Sequence, residues 1–201
     1  MAELLLELYS EEIPHGLQIS AREELKKNLV KLLEEESIKY KSTEVYSTPT
    51  RLALIVSDLP SKIKIEAKEV RGPKVGVPEN IIEGFMNSHK IIKKDLFEKI
   101  EEKGKFYCFK KDSKKILTED ILIKLMPKAI GSIKWKKSMR WSDHDLLWGR
   151  PLRSILAIFN NKHLKFDYHH LASTDGLIIV DNFNDKIKKV KNFKEYESEL
   201  K

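Results

Sequence analysis

The amino-acid sequence predicts an α+β fold, with a mixed, mainly antiparallel sheet packed against helices. Two observations carry that expectation. Short apolar runs alternate with stretches of helical spacing instead of recurring as one type. Several runs also come in pairs, parted by tight breaks at Thr48-Pro49 and Asn160-Asn161-Lys162, which suit hairpins.

Leu4–Leu8 is an apolar run before a turn at Ser10–Pro14 and reads as a buried strand. Pro14 suits the first position of a helix, where its missing N–H costs nothing. Leu17, Ala21, Leu25, Leu29, Leu32 and Leu33 then recur at helical spacing to about residue 36, opposite a charged face of Glu23, Lys27, Lys31 and Glu34. Residues 43–47 and 51–58 read as two strands. Over 62–71, Ile63, Ile65 and Ala67 alternate with Lys64, Glu66 and Lys68, the period of a strand with one wet face. Gly72–Pro78, with two glycines and two prolines, is expected to be a loop. Helical patterns follow at about 79–88 and 93–101, then a strand at Lys105–Lys110 and a helix at Thr118–Ile130 with Thr118 as its N-cap. A hairpin is expected over 152–168, from Leu152–Phe159 to Leu164–Tyr168, and a last helix from about 193. One domain spans 1–201, with a possible subdivision near 72–104; the chain shows no internal repeat and no low-complexity tract.

The 201 residues are 41% hydrophobic and 34% charged, a globular balance with material for a core. The single cysteine, Cys108, cannot form an internal disulfide. It sits in Phe106-Tyr107-Cys108-Phe109 and reads as a small core residue in a reducing, cytoplasmic setting. Glu3, Glu7, Glu11 and Glu12 take the place of a basic leader, so no signal peptide is expected, and no apolar run is long enough to span a membrane. Net charge is +7, which permits binding to a polyanion without requiring it.

Candidate functional residues fall into four stretches. Glu11-Glu12 can do acid–base work or favour the start of a helix. Arg51 can point its guanidinium at phosphate or pair within the domain with a residue such as Glu12. Arg71-Gly72-Pro73-Lys74 sets two cations beside a glycine, which suits RNA or partner contact or a plain turn. It lacks the strand–loop–helix pattern of nucleotide binding. In 134–153, Lys134, Lys136, Lys137, Arg140, Arg150 and Arg153 are interleaved with Trp135, Trp141 and Trp148. Cations draw phosphate and exposed indoles stack on unpaired bases, whereas tryptophan is also a common core residue. The contact candidates are therefore Arg51, Arg71, Lys74, Lys137, Arg140, Trp141, Arg150 and Arg153. His144 between two aspartates and the pair His169-His170 lack further ligands at metal-binding spacing, and no nucleophile constellation is visible.

In order along the chain, Leu4-Leu5-Leu6-Glu7-Leu8 with Ser10-Glu11-Glu12-Ile13-Pro14, Thr48-Pro49-Thr50-Arg51-Leu52-Ala53, Arg71-Gly72-Pro73 with Glu83-Gly84-Phe85, and Lys137-Ser138-Met139-Arg140-Trp141 with Trp148-Gly149-Arg150-Pro151-Leu152-Arg153 resemble the N-terminal region of the bacterial glycyl-tRNA synthetase β subunit. The resemblance implies a fold similar to the B3/B4-type domain of phenylalanyl-tRNA synthetase β chains. It implies an α2β2 assembly in which the α subunit activates glycine with ATP, while the β subunit holds tRNA-Gly and carries no cofactor or catalytic residue on this part. Family β subunits continue into HD-like and anticodon-binding modules that this sequence lacks, so a fragment, a split-gene piece or a truncated copy is expected. Where the family typically shows Gly-His-Arg, near 176–182, this chain reads Gly176-Leu177-Ile178-Ile179-Val180-Asp181-Asn182. The rival expectation is a protein–protein assembly module, or a degenerate fragment, that never touches RNA.

Overall fold

A computed structural model describes residues 2–65, 68–89, 91–101, 104–111, 114–180 and 184–201. Among these described residues the architecture is α+β, with four α-helices and a mixed, mostly antiparallel sheet. The chain divides into two units, one of Met1–Ile63 with Leu117–Lys201 and the other of Lys64–Ile116.

The larger unit begins with β1 (Ala2–Ser10) and α1 (His15–Glu35), followed by β2 (Ser42–Thr48) and β3 (Arg51–Leu59). The chain then passes through β4 (Lys62–Ile65) to the smaller unit, formed by β5 (Lys68–Lys74), α2 (Glu79–His89), β6 (Leu96–Glu101) and β7 (Gly104–Lys111). It returns through β8 (Lys114–Leu117), the partner of β4, to α3 (Thr118–Gly131) and a short ribbon of β9 (Met139–Arg140) and β10 (Leu147–Trp148). β11 (Leu152–Phe159), β12 (Lys162–His163), β13 (Asp167–Tyr168) and β14 (Leu171–Thr174) complete the main sheet. The ribbon of β15 (Gly176–Ile179) and β16 (Lys186–Lys189) and helix α4 (Phe193–Leu200) follow.

The sheet order is β13-β14-β11-β1-β3-β2, with β12 on β11, and only the β11–β14 pair is parallel. β1 is central, which explains its continuous apolar run: both of its faces are covered. Leu4, Leu6 and Leu8 join Leu52, Leu54 and Val56 beneath Leu25, Leu29 and Leu33 of α1 and Leu122, Leu125 and Met126 of α3. Leu5 faces the other way, with Ala53, Ile55, Leu156 and Ile158, under Leu177, Val190 and Tyr196. Strand alternation puts Glu7 on that second face, a carboxylate 1% exposed among apolar neighbours.

Several expected elements change on folding. Residues 93–101 are a 3-10 turn (Lys93–Asp95) followed by strand β6 instead of a helix. Leu96 and Ile100 have helical spacing, but Ile100 is 74% exposed, and pairing of β6 with β7 decides the conformation. The expected loop Gly72–Pro78 begins later, because β5 runs to Lys74 across an irregularity between Arg71 and Lys74 that accommodates Pro73. Thr118 is the first helical residue, not the cap: its hydroxyl donates to the Pro60 carbonyl, and Leu117 holds the cap position. The returning arm of the 152–168 hairpin is only β12, because Ser173 diverts the chain. The Ser173 hydroxyl accepts from Phe166 N–H at 2.9 Å and donates to the Leu164 carbonyl at 2.8 Å. Pro14 sits one residue ahead of its expected place, as the N-cap of α1. In the 62–71 alternation, Glu66 and Ala67 lie outside the described residues, as do Asp181 and Asn182 of the 176–182 stretch. Cys108 is buried at 2% exposure, as its apolar setting predicts. Among the described residues no helix is long and apolar enough to cross a membrane.

Candidate nucleic-acid interface

One end of the main sheet gathers three of the four sequence motifs. β1 pairs with β3 through Leu8↔Leu52 and Tyr9↔Arg51, and a register shift after Tyr9 turns the chain out of the sheet. The segment that leaves is tied down by its backbone. Ser10 N–H donates to the Thr50 carbonyl at 2.9 Å, Glu11 N–H to that of Pro151 at 2.9 Å and Ile13 N–H to that of Pro49 at 2.6 Å. Gln18, buried in α1, donates to the Ile13 carbonyl at 2.7 Å and anchors the helix to the same turn.

These tied ends enclose an open groove of about 850 Å³. Glu12, His15, Pro49, Met139, Trp141 and Arg150 are among its lining residues. Trp141 is 61% exposed. Trp148 is 2% exposed and packs at 5.0 Å, ring to ring, on the half-buried Trp135. The tryptophan-rich segment therefore splits, with two indoles inside and one at the groove. Gly149 shows why a glycine follows Trp148: a Cβ there would lie 2.2 Å from the Trp135 ring. Beside the groove, His144 stacks on His170 with centroids 3.6 Å apart and planes 6° from parallel, joining the loop after Trp141 to the β13–β14 turn. Burial, then the neighbouring His144 and His169, lower the pKa of His170 from its ordinary value.

The candidate cations have different fates. Arg51 is 7% exposed and donates to Glu7 at 2.8 Å and to the Ile178 carbonyl, and its guanidinium lies over the Tyr9 ring, 4.6 Å from the ring centre. The partner expected for it, Glu12, is replaced by Glu7, its diagonal neighbour across β1 and β3. Tyr196 of α4 donates to the same Glu7 oxygen at 2.5 Å. Burial raises the Glu7 pKa from its ordinary value, opposed by Arg51 and the Tyr196 hydroxyl. Burial and the adjoining Glu7 carboxylate push the Tyr196 phenol well up, so it stays a donor. Ile178, in the stretch that departs from the family pattern, thus supplies a backbone oxygen to this cluster.

Arg150 is half-buried in the groove wall and has no ion-pair or hydrogen-bond partner among the described residues. Arg153 is exposed between Glu11 at 3.5 Å and Asp185 at 3.7 Å. Arg140 on β9 lies 4.0 Å from Asp145, and Lys137 is exposed just before it. Arg71 and Lys74 belong to the smaller unit, where the Arg71 guanidinium lies 3.6 Å from the Phe106 ring centre. The same unit brings together the two halves of the third motif. Phe85 of α2 lies over Gly72, where a Cβ would come within 2.6 Å of its ring.

The structure corrects one sequence expectation and adds two lining residues that the sequence does not mark. Glu11 and Glu12 do not lie in the first turn of α1, which has no acidic residue; Glu11 pairs with Arg153 and Glu12 lines the groove. His15 and Met139 were not candidates, because nothing local marks either as a lining residue. One serine–histidine contact, His163 Nε2 to Ser173 Oγ at 3.1 Å, is structural. The single serine proton goes to the Leu164 carbonyl, so His163 is not placed to remove it.

A family model described as glycyl-tRNA synthetase beta subunit matches residues 4–201. Proteins named glycine–tRNA ligase beta subunit from Rickettsia prowazekii (strain Madrid E), Rickettsia peacockii (strain Rustic) and Rickettsia akari (strain Hartford) are 35%, 36% and 36% identical to it. Each match covers 100% of this chain and 30% of the relative's length. The chain belongs to the glycyl-tRNA synthetase β-subunit family.

Proposed function

We propose that this chain is a non-catalytic, N-terminal portion of a glycine–tRNA ligase β subunit, which supports ATP-dependent attachment of glycine to tRNA-Gly by holding the tRNA against an α subunit. The single observation that carries the tRNA contact is the groove. An exposed indole and an unpartnered guanidinium line one open cavity at a sheet end built from three family motifs. Exposed Lys134, Lys136, Lys137 and Arg140 lie on the segment that leads to Trp141. In this reading catalysis gains from orientation, with the reacting atoms on the α subunit, where ATP is used. The α2β2 stoichiometry, a cytoplasmic setting and a likeness to the B3/B4-type domain belong to the same proposal. The mixed sheet, with α1 and α3 packed on one face and α4 on the other, is compatible with that likeness.

A second reading, a subunit-assembly surface without RNA, draws on Arg140 and Arg153, both of which meet carboxylates. One experiment separates the two: co-purification with the cognate α subunit, followed by charging of tRNA-Gly. Binding with charging supports the holding role. Binding without charging supports an assembly role, and no binding contradicts both.

A further inference from the structure

The tRNA-holding reading uses the indole and the cation of the groove but leaves its carboxylate unexplained. Glu11 and Glu12 both line the cavity, and Glu11 is engaged by Arg153 at 3.5 Å. Glu12 is exposed and has no ion-pair or hydrogen-bond partner among the described residues. An ionised carboxylate only accepts hydrogen bonds, so it favours a ligand edge that offers N–H donors and repels one that offers carbonyl oxygens. Pro14, Pro49 and Pro151 add flat apolar wall to the Trp141 face, which suits a planar ring. Arg150 supplies unspent positive charge for a phosphate, and the N-terminus of the 21-residue helix α1, uncapped by any side chain, opens at the same place.

A ligand that meets all three demands has an aromatic plane, an exocyclic amine on its edge and an attached anion. That is a nucleotide of cytosine, adenine or guanine; uracil presents two carbonyl oxygens and a single ring N–H. We infer that the groove holds an unpaired nucleotide of the bound RNA, stacked on Trp141, and that Glu12 selects an amine-bearing base over uracil. This rests on the tRNA-holding reading and goes beyond it. A peptide anchor from a partner subunit fits less well. It gives no reason for an exposed indole, an unpartnered carboxylate and an unpartnered guanidinium to share one shallow cavity.

The test labels the full chain with fluorotryptophan and follows the fluorine spectrum while tetracytidylate, tetraadenylate or tetrauridylate is added. Trp141→Phe assigns the Trp141 line by its loss. The expected result is movement of that line at roughly tenfold lower concentrations of the cytosine or adenine oligomer than of the uracil oligomer. Glu12→Gln, an exposed change, should shrink that gap to about twofold while leaving the uracil response in place. Equal responses to all three oligomers overturn the amine readout and leave the RNA contact standing. A Trp141 line that ignores every oligomer, in protein that still binds tRNA-Gly, overturns the groove as a nucleotide site. A line that moves only when the α subunit is added does the same and assigns the groove to subunit contact. Loss of tRNA-Gly binding altogether would instead remove the holding reading beneath the inference.

Discussion

Two sets of a carboxylate, a guanidinium and an aromatic side chain among the described residues have opposite outcomes. In the first set, Glu7, Arg51 and Tyr196 are buried at 1%, 7% and 5% exposure and spend their polar groups on one another and on Ile178. In the second, Glu12, Arg150 and Trp141 line an open groove, and neither charged group has an ion-pair or hydrogen-bond partner among the described residues. Residue type is the same in both; saturation differs. A buried charge with every bond made fixes strands and a helix in place, and an unspent charge beside a bare indole is available to a ligand.

The sharpest way to break this comparison is to strip the first set. Arg51→Met leaves the Glu7 carboxylate buried without its counter-charge and is expected to cost about 3–5 kcal/mol in urea unfolding. Adding Glu7→Leu and Tyr196→Phe, which remove the orphaned groups, should restore most of that loss. A smaller cost is expected at Gly149, whose place under the Trp135 ring leaves no room for a methyl group. Gly149→Ala should destabilise by about 1–3 kcal/mol, read as a lowered thermal midpoint. In the second set the pattern inverts. Trp141→Ala and Arg150→Ala should change stability by no more than about 0.5 kcal/mol. Trp141→Ala should nonetheless weaken tRNA-Gly binding by about 1–3 kcal/mol, measured by filter retention.

The smallest expected effect is on pH dependence. The folded pKa of His170 is lowered from 6.5, first by burial and then by His144 and His169. The fold therefore favours the neutral ring. Its contribution is present above the unfolded value and is lost as pH falls from there through the lower folded value. Acidification below pH 6.5 should loosen the His144–His170 stack and shift the emission of Trp141, and His170→Asn should flatten that response.

What the sequence discloses depends on how local its cause is. β1, α1, β3 and β11 are legible because long apolar runs and leucines at helical spacing report burial directly. β6 is not, because Leu96 and Ile100 carry a helical spacing that only pairing with β7 overrides. The short strands β9, β10 and β12 to β16 are hydrogen-bonded segments of two to four residues, too brief to show a period. The site divides in the same way. The Trp141–Arg150 segment stands out by composition. Glu12 is legible only as half of a carboxylate pair, because its place in the groove follows from where Pro49 and Pro151 fix the turn, through bonds to residues far along the chain. Arg51 reads from sequence as either structural or functional, and only the position of Glu7 on the adjacent strand decides between them.

The most direct test of the central claim is the salt dependence of tRNA-Gly binding by the chain with its α subunit, wild type against Arg150→Ala. A tRNA-holding groove predicts that log Kobs falls linearly with log salt, and that Arg150→Ala makes the slope shallower by about one phosphate contact. An affinity that stays flat across the same salt range, and is unchanged by Arg150→Ala, would contradict it.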